Sequence, residues 1–216
     1  MSTLTLRATF VRALLSATLL TAMACTPVQV LTHSVSQNEA RVPAGRYELD
    51  PDHCSITFDI DHFKYSRFTM RFDRKQGQLD WNEGGLDRST AAIAIDAASI
   101  DTNVPLLDKM VKSASMLDVS RYPEIRFATT RFQRTGESRG TLTGDLTIRG
   151  VTQAVMLDVT FNGFAPDPLT KKDTLGFSAE GHFSRAKFGL STWYPAVGDD
   201  IRVRIQAEFV KTPAGA

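Results

Sequence analysis

Ile201-Arg-Val-Arg-Ile-Gln-Ala-Glu-Phe209 alternates apolar and polar residues without a break. Ile201, Val203, Ile205, Ala207 and Phe209 fall on one side, and Arg202, Arg204, Gln206 and Glu208 on the other. In an extended chain successive side chains point to opposite faces, so the pattern predicts a strand with one dry and one wet face. That is the habit of antiparallel sheets. The rhythm recurs upstream. Cys54, Ile56, Phe58, Ile60 and His62 oppose Ser55, Thr57, Asp59 and Asp61. Leu142 to Ile148, Val155 to Phe161, and Phe177-Ser-Ala179-Glu-Gly181-His-Phe183 repeat it. Shorter runs at 68–72, 78–81, 91–97 and 125–132 bring the total to about eight or nine strands.

The joints are turn-like: Gly84-Gly85, Gly136-Glu137-Ser138, Arg149-Gly150 and Pro166-Asp167-Pro168. One segment changes period. Between Asp101 and Asp118, Leu106/Leu107, Met110/Val111, Ala114 and Leu117 recur at helical spacing behind Pro105. This predicts one short helix over an end or side of the sheet. Such strands make a sandwich or a closed barrel, and periodicity does not choose between them. The inward set is rich in phenylalanine, while Ala179, Gly144 and Gly181 on the same faces leave space unless something fills it.

Composition narrows the function classes. The chain has 216 residues, 25 basic against 24 acidic, and 42% hydrophobic residues, which is too apolar for a disordered chain. A net charge of +1 offers no field for nucleic acid. Two cysteines build neither a disulfide framework nor a four-cysteine zinc site.

The N-terminus reads as an address. Arg7 and Arg12 precede the apolar run Ala13–Ala24, giving a signal peptide over 1–24 and export to the periplasm. Cys25 follows Ala22-Met23-Ala24 and is a candidate for lipidation, although Ala22 stands where a lipobox usually has leucine. Thr26 in place of aspartate then favours the outer membrane. Residues 25–44 show no period and read as a linker or lipid-anchored tether, with the barrel domain over 45–212. Cys54 is left alone in an oxidising compartment and reads as a small buried hydrophobe.

Catalytic constellations do not assemble. Gly176-Phe-Ser178-Ala-Glu-Gly181 has its second glycine one place too far for a nucleophile elbow, and no phosphate-binding loop occurs. By parity His53 and His182 face solvent and His62 faces inward, so no two histidines share a face of one strand. No catalytic residue, metal or cofactor is expected. His62 is the polar end of an apolar inward row: either a core histidine bonded to a carbonyl, or a head-group contact at a cavity mouth.

Five ordered stretches resemble one family, the secreted, lipocalin-like YceI-like proteins described as polyisoprenoid-binding. They are Tyr47–His62, Ala98-Ser-Ile-Asp101-Thr-Asn103 with Leu107-Asp108-Lys and Met116-Leu-Asp118, Arg121–Phe127, Gly144–Thr152, and Phe183-Ser-Arg185-Ala-Lys-Phe188-Gly189 with Val197-Gly-Asp-Asp200-Ile. Departures are Cys54 for a serine, Arg71 for a glycine before Phe72, and Lys109-Met-Val-Lys-Ser113 around the helix. The resemblance implies an extended all-β antiparallel barrel of about eight strands whose lumen holds an isoprenoid-like amphiphile. It would be sequestered or carried rather than chemically changed. Tail contacts would come from Phe58, Ile60, Phe68, Phe72, Phe127, Phe177 and Phe183. His62 would lie nearest the head group, with Trp193 and Tyr194 at the mouth. The rivals are a fatty acid, fatty amide or quinone in the same lumen, a lipid enzyme using His62 with Asp59 or Asp61, which parity opposes, and a filled barrel serving as an envelope-stress scaffold.

Overall fold

The computed structural model describes residues 28–213; the expected signal peptide and Cys25 lie outside the described residues. In chain order the elements are β1 Gly45–Leu49, β2 Ser55–His62, β3 Ser66–Phe72, β4 Lys75–Trp81, β5 Thr90–Asp96, β6 Ile100–Asp101, helix α1 Pro105–Lys112, β7 Glu124–Arg134, β8 Arg139–Ile148, β9 Val151–Pro166, β10 Asp173–Ser184 and β11 Val197–Lys211. Every strand pair is antiparallel.

The ring runs β1–β4–β5–β7–β8–β9–β10–β11 and closes from β11 back to β1. Closure decides for a barrel over a sandwich. It also removes the free edges an open sheet would carry. β1 and β2 lie end to end along one edge of β11, with Leu49 opposite Phe209 and Ser55 opposite Gln206. β3 with β4, and β5 with β6, are broken in the same way, so the eleven strands make an eight-stranded barrel.

The breaks have local causes. Asp50 Oδ1 accepts the amides of Asp52 and His53, an Asx turn that competes with the ladder. Asp96 accepts the Ala98 amide and starts a single 3-10 turn, Ala97–Ser99. The buried Ser99 hydroxyl accepts the Arg74 amide at 3.0 Å and donates to the Asp96 carbonyl at 2.7 Å, locking two of the breaks together.

Beyond the pair Asp96–Glu124, where β7 begins, the Ala97 amide still donates to the Pro123 carbonyl, and β6 then pairs with β3 alone. Helix α1 and the turns after it occupy this end. Asp108 accepts the amide and hydroxyl of Thr102 at 2.9 and 2.7 Å, tying the helix to the chain after β6. Arg149, in the β8–β9 turn, donates to the Ala114 carbonyl from the other side. The apolar side of the helix, Leu107 and Val111, faces the lumen, as the period predicts.

The opposite end is plugged by residues expected to be linker. Ser36 and Phe164 exchange backbone hydrogen bonds, Val42 is buried in the core, and the Tyr47 hydroxyl donates to the Pro43 carbonyl at 2.7 Å. Residues 35–44 are therefore docked on the barrel. They carry too few apolar residues to show a period, but their polar side chains find specific partners. Val28–Leu31, a single helical turn, belongs with residues up to Ser34 and the hairpin tip Pro168–Lys171 to a separate compact unit.

Gly144 and Gly181 do not open space either. The Phe127 ring lies where a Gly144 Cβ would stand, and Leu157 covers Gly181. Each glycine lets a large side chain from the neighbouring strand lie flat on the sheet.

Candidate functional site: an apolar lumen with one rim of exposed aromatics

A cavity of about 580 Å³ runs through the barrel, inside the range of about 300–1,000 Å³ for small-molecule sites. Its wall is the inward row of every strand. Phe58, Ile60, Phe68 and Phe72 line it from β2 and β3, and Phe127 from β7. Phe177 and Phe183 line it from β10. The rings are ordered by mutual packing: Phe58 stacks on Phe72 at 5.2 Å, and Phe177 meets Phe209 edge-on at 5.9 Å. Phe177 and Phe209 form the floor, backed by buried Trp81 and Phe161.

Of the three hydroxyl residues in the far half of the wall, Ser89, Thr90 and Thr129, two are bonded within the protein. Thr129 accepts the Ala91 amide at 2.9 Å, and Ser89 donates to the Gly85 carbonyl at 2.8 Å. A guest there meets hydrocarbon. Cys54 is buried in this wall, and burial pushes its thiol up, against a smaller opposing pull from Lys75. It is a poor nucleophile as placed.

The mouth lies between the β2–β3 turn, α1 and the β10–β11 loop. His62 is exposed here at the lumen edge. Its ring touches Phe63 at 4.6 Å and Phe68 at 5.9 Å and makes no hydrogen bond or ion pair among the described residues. It is not a core histidine held by a carbonyl. Trp193 also lines the mouth. Tyr194, next to it in the turn Ser191–Tyr194, is 64% exposed and does not line the lumen.

Arg185 shares the inward parity of Phe183, the one sequence signal that marks it as a lumen residue. It is 5% exposed, lines the lumen, and donates to the carbonyls of Leu190, Val197 and Gly198. Burial pulls its guanidinium down from the usual arginine range, with Asp199 pulling the other way. It stays cationic, since arginine starts so high. Met70, Leu107 and Met110 also line the wall, giving the mouth half deformable side chains. Asp59 faces away from His62, on the outer surface, where Arg67 and Arg204 pair with it. Among the described residues no three His, Cys, Asp or Glu side chains are grouped to hold a metal ion.

A family model described as the YceI-like domain matches residues 47–209. A UPF0312 protein of Pseudomonas putida strain W619 is 34% identical over 149 residues, covering 68% of this chain and 77% of that protein. One from Pseudomonas fluorescens strain SBW25 is 32% identical over 173 residues, covering 79% and 89%. Among solved structures, Burkholderia cenocepacia BcnA superposes with a TM-score of 0.67 at 20% identity, over 74% of this chain and 98% of that one. A polyisoprenoid binding domain from Saccharophagus degradans, implicated in plant cell wall breakdown, superposes with a TM-score of 0.60 at 11% identity, over 79% and 100%. These two likenesses are of fold.

Proposed function

We propose that this chain, which belongs to the YceI-like domain family, takes an isoprenoid-type amphiphile into its barrel lumen and sequesters or carries it within the bacterial cell envelope. The observation that carries the reading is the lumen itself, an apolar slot from the His62 mouth to the Phe177–Phe209 floor, in whose far half Ser89 and Thr129 are already bonded within the protein. Such a wall holds a chain mainly by dispersion and desolvation. Burial contributes about 0.8 kcal/mol per CH₂, so affinity grows with tail length until the slot is full.

The head group meets the mouth, where His62 and the Trp193 indole carry the polar atoms. The solved neighbour named as a polyisoprenoid binding domain supports this ligand class. The envelope location rests on the basic and apolar N-terminal run ahead of Cys25. In this reading the protein binds and holds its guest.

Organic-extracted protein titrated with the apolar dye N-phenyl-1-naphthylamine, then with geraniol, farnesol and geranylgeraniol as competitors, tests the reading. Displacement that tightens with each five-carbon unit supports it. A lumen that refuses the dye, or competitors of equal strength, contradicts it.

A further inference from the structure

The mouth is ringed by large apolar side chains that the fold leaves in water. Phe63 is 51% exposed and Tyr65 90%, both in the β2–β3 turn; Leu106 on α1 is 68% exposed and Trp193 41%. The turn at Phe63 is joined to the β10–β11 loop through its amide and the Ala196 carbonyl, and Thr192 of that loop donates to the Ser115 carbonyl beyond α1. The side chains therefore sit on one connected rim. Scattered exposed hydrophobes need no explanation, but a contiguous rim around a mouth does.

Two further observations bear on what covers it. Phe63, Lys64 and Trp193 hold φ of 52°, 62° and 63°, a region costly for bulky residues and easily served by glycine or asparagine. Large side chains are kept on the rim against that cost. The charge pattern is the second. The exposed charged residues of these turns and of α1 are basic, among them Lys64 between Phe63 and Tyr65, Lys109, Arg121 and Lys187. The acids there, Asp61, Asp108, Asp118 and Asp199, are partly buried, and Asp108 and Asp199 are engaged with Thr102 and the Ala186 amide.

The geometry points to a lipid bilayer carrying acidic phospholipids as the partner of this face. The mouth seats against it, aromatic and aliphatic tips entering the interface and lysines meeting lipid phosphates. A guest then passes between bilayer and lumen without crossing water. The inference goes beyond the lumen reading, and docking is measured without any lumen guest, so either can fail alone.

Trp193 fluorescence reads it directly, since the other tryptophan, Trp81, is buried at the far end. With phosphatidylethanolamine and phosphatidylglycerol vesicles bearing brominated chains, Trp193 emission is quenched, and Trp193→Phe abolishes the response. The variant Lys64→Glu/Tyr65→Ser/Leu106→Ser/Lys109→Glu, at exposed positions outside the lumen wall, weakens the quenching titration by more than about tenfold. Added salt weakens the unsubstituted chain likewise. The N-terminal segment is common to all variants and cannot account for a difference. No quenching, quenching equal on phosphatidylcholine vesicles, or quenching indifferent to salt and to the four substitutions would overturn the inference.

Discussion

Arg134, near the end of β7, holds both carboxylate oxygens of Glu39 at 2.8 and 3.0 Å. Glu39 Oε2 also accepts the Leu86 amide at 2.9 Å. This fork joins the segment ahead of the barrel to the turn Gly85–Arg88 and to the sheet, so the floor end is closed by a charge-assisted clasp. The Glu39 side chain is only 15% exposed. Glu39→Gln leaves Arg134 and the Leu86 amide poorly matched and should cost about 2 kcal/mol, the scale of a hydrogen bond to a charged group. Urea unfolding measures the loss. Faster amide exchange at 35–44 locates it.

The same clasp sets a pH response. Burial pushes the Glu39 carboxyl up, but the Arg134 hydrogen bond, the Leu86 amide and the Arg134 charge together outweigh it, and the net shift is downward from 4.5. A carboxylate depressed by folding contributes stability that is fully present above its unfolded value and is lost as pH falls through the folded one. The clasp's contribution to the unfolding midpoint should hold steady above pH 5 and drop below about pH 4.5. In Glu39→Gln that part of the drop should disappear.

Arg185 ties the β10–β11 loop to the start of β11 from inside, donating to the carbonyls of Leu190, Val197 and Gly198. Arg185→Met keeps the bulk and removes the donors. Leaving such carbonyls unpaired costs about 1–3 kcal/mol each, so the expected result is a markedly less stable protein with rapid exchange confined first to residues 189–198. Exchange as slow as in the unsubstituted protein would show that the loop is held by other means.

Period two was enough to read the barrel walls, because a strand buried on one face writes that face into its sequence. Phe58, Ile60, Phe68, Phe72, Phe127, Phe177 and Phe183 all reach the lumen for that reason. What parity cannot carry is anything set by neighbours across the sheet. Phe127 covering Gly144 depends on the β7–β8 register, and the strand breaks depend on the Asx turn at Asp50 and on buried Ser99. The plug at 35–44 reads as a linker in the sequence because Glu39 and Val42 are too few to make a pattern. Parity also stops at turns, so it does not say that Trp193 lines the lumen while Tyr194 next to it does not.

Ala179 offers a direct probe of the lumen. It lies in the wall between Val159 and Ile205 on the flanking strands, with room in front of it. Ala179→Phe projects a ring into the slot. Overpacking of this kind costs about 1–3 kcal/mol, which a barrel with a cavity absorbs better than a filled one. Dye and prenyl alcohol binding should fall by at least about tenfold, equivalent to roughly 1.4 kcal/mol, while the protein stays folded. Unchanged binding would mean that the guest does not lie along β10.

Native mass spectrometry of the purified protein, before and after organic extraction, tests the central claim most directly. The account predicts a bound mass that extraction removes, whose released species belongs to a five-carbon series and which added prenyl lipid restores. A protein at its bare polypeptide mass before and after extraction, and unchanged by added prenyl lipid, would contradict it.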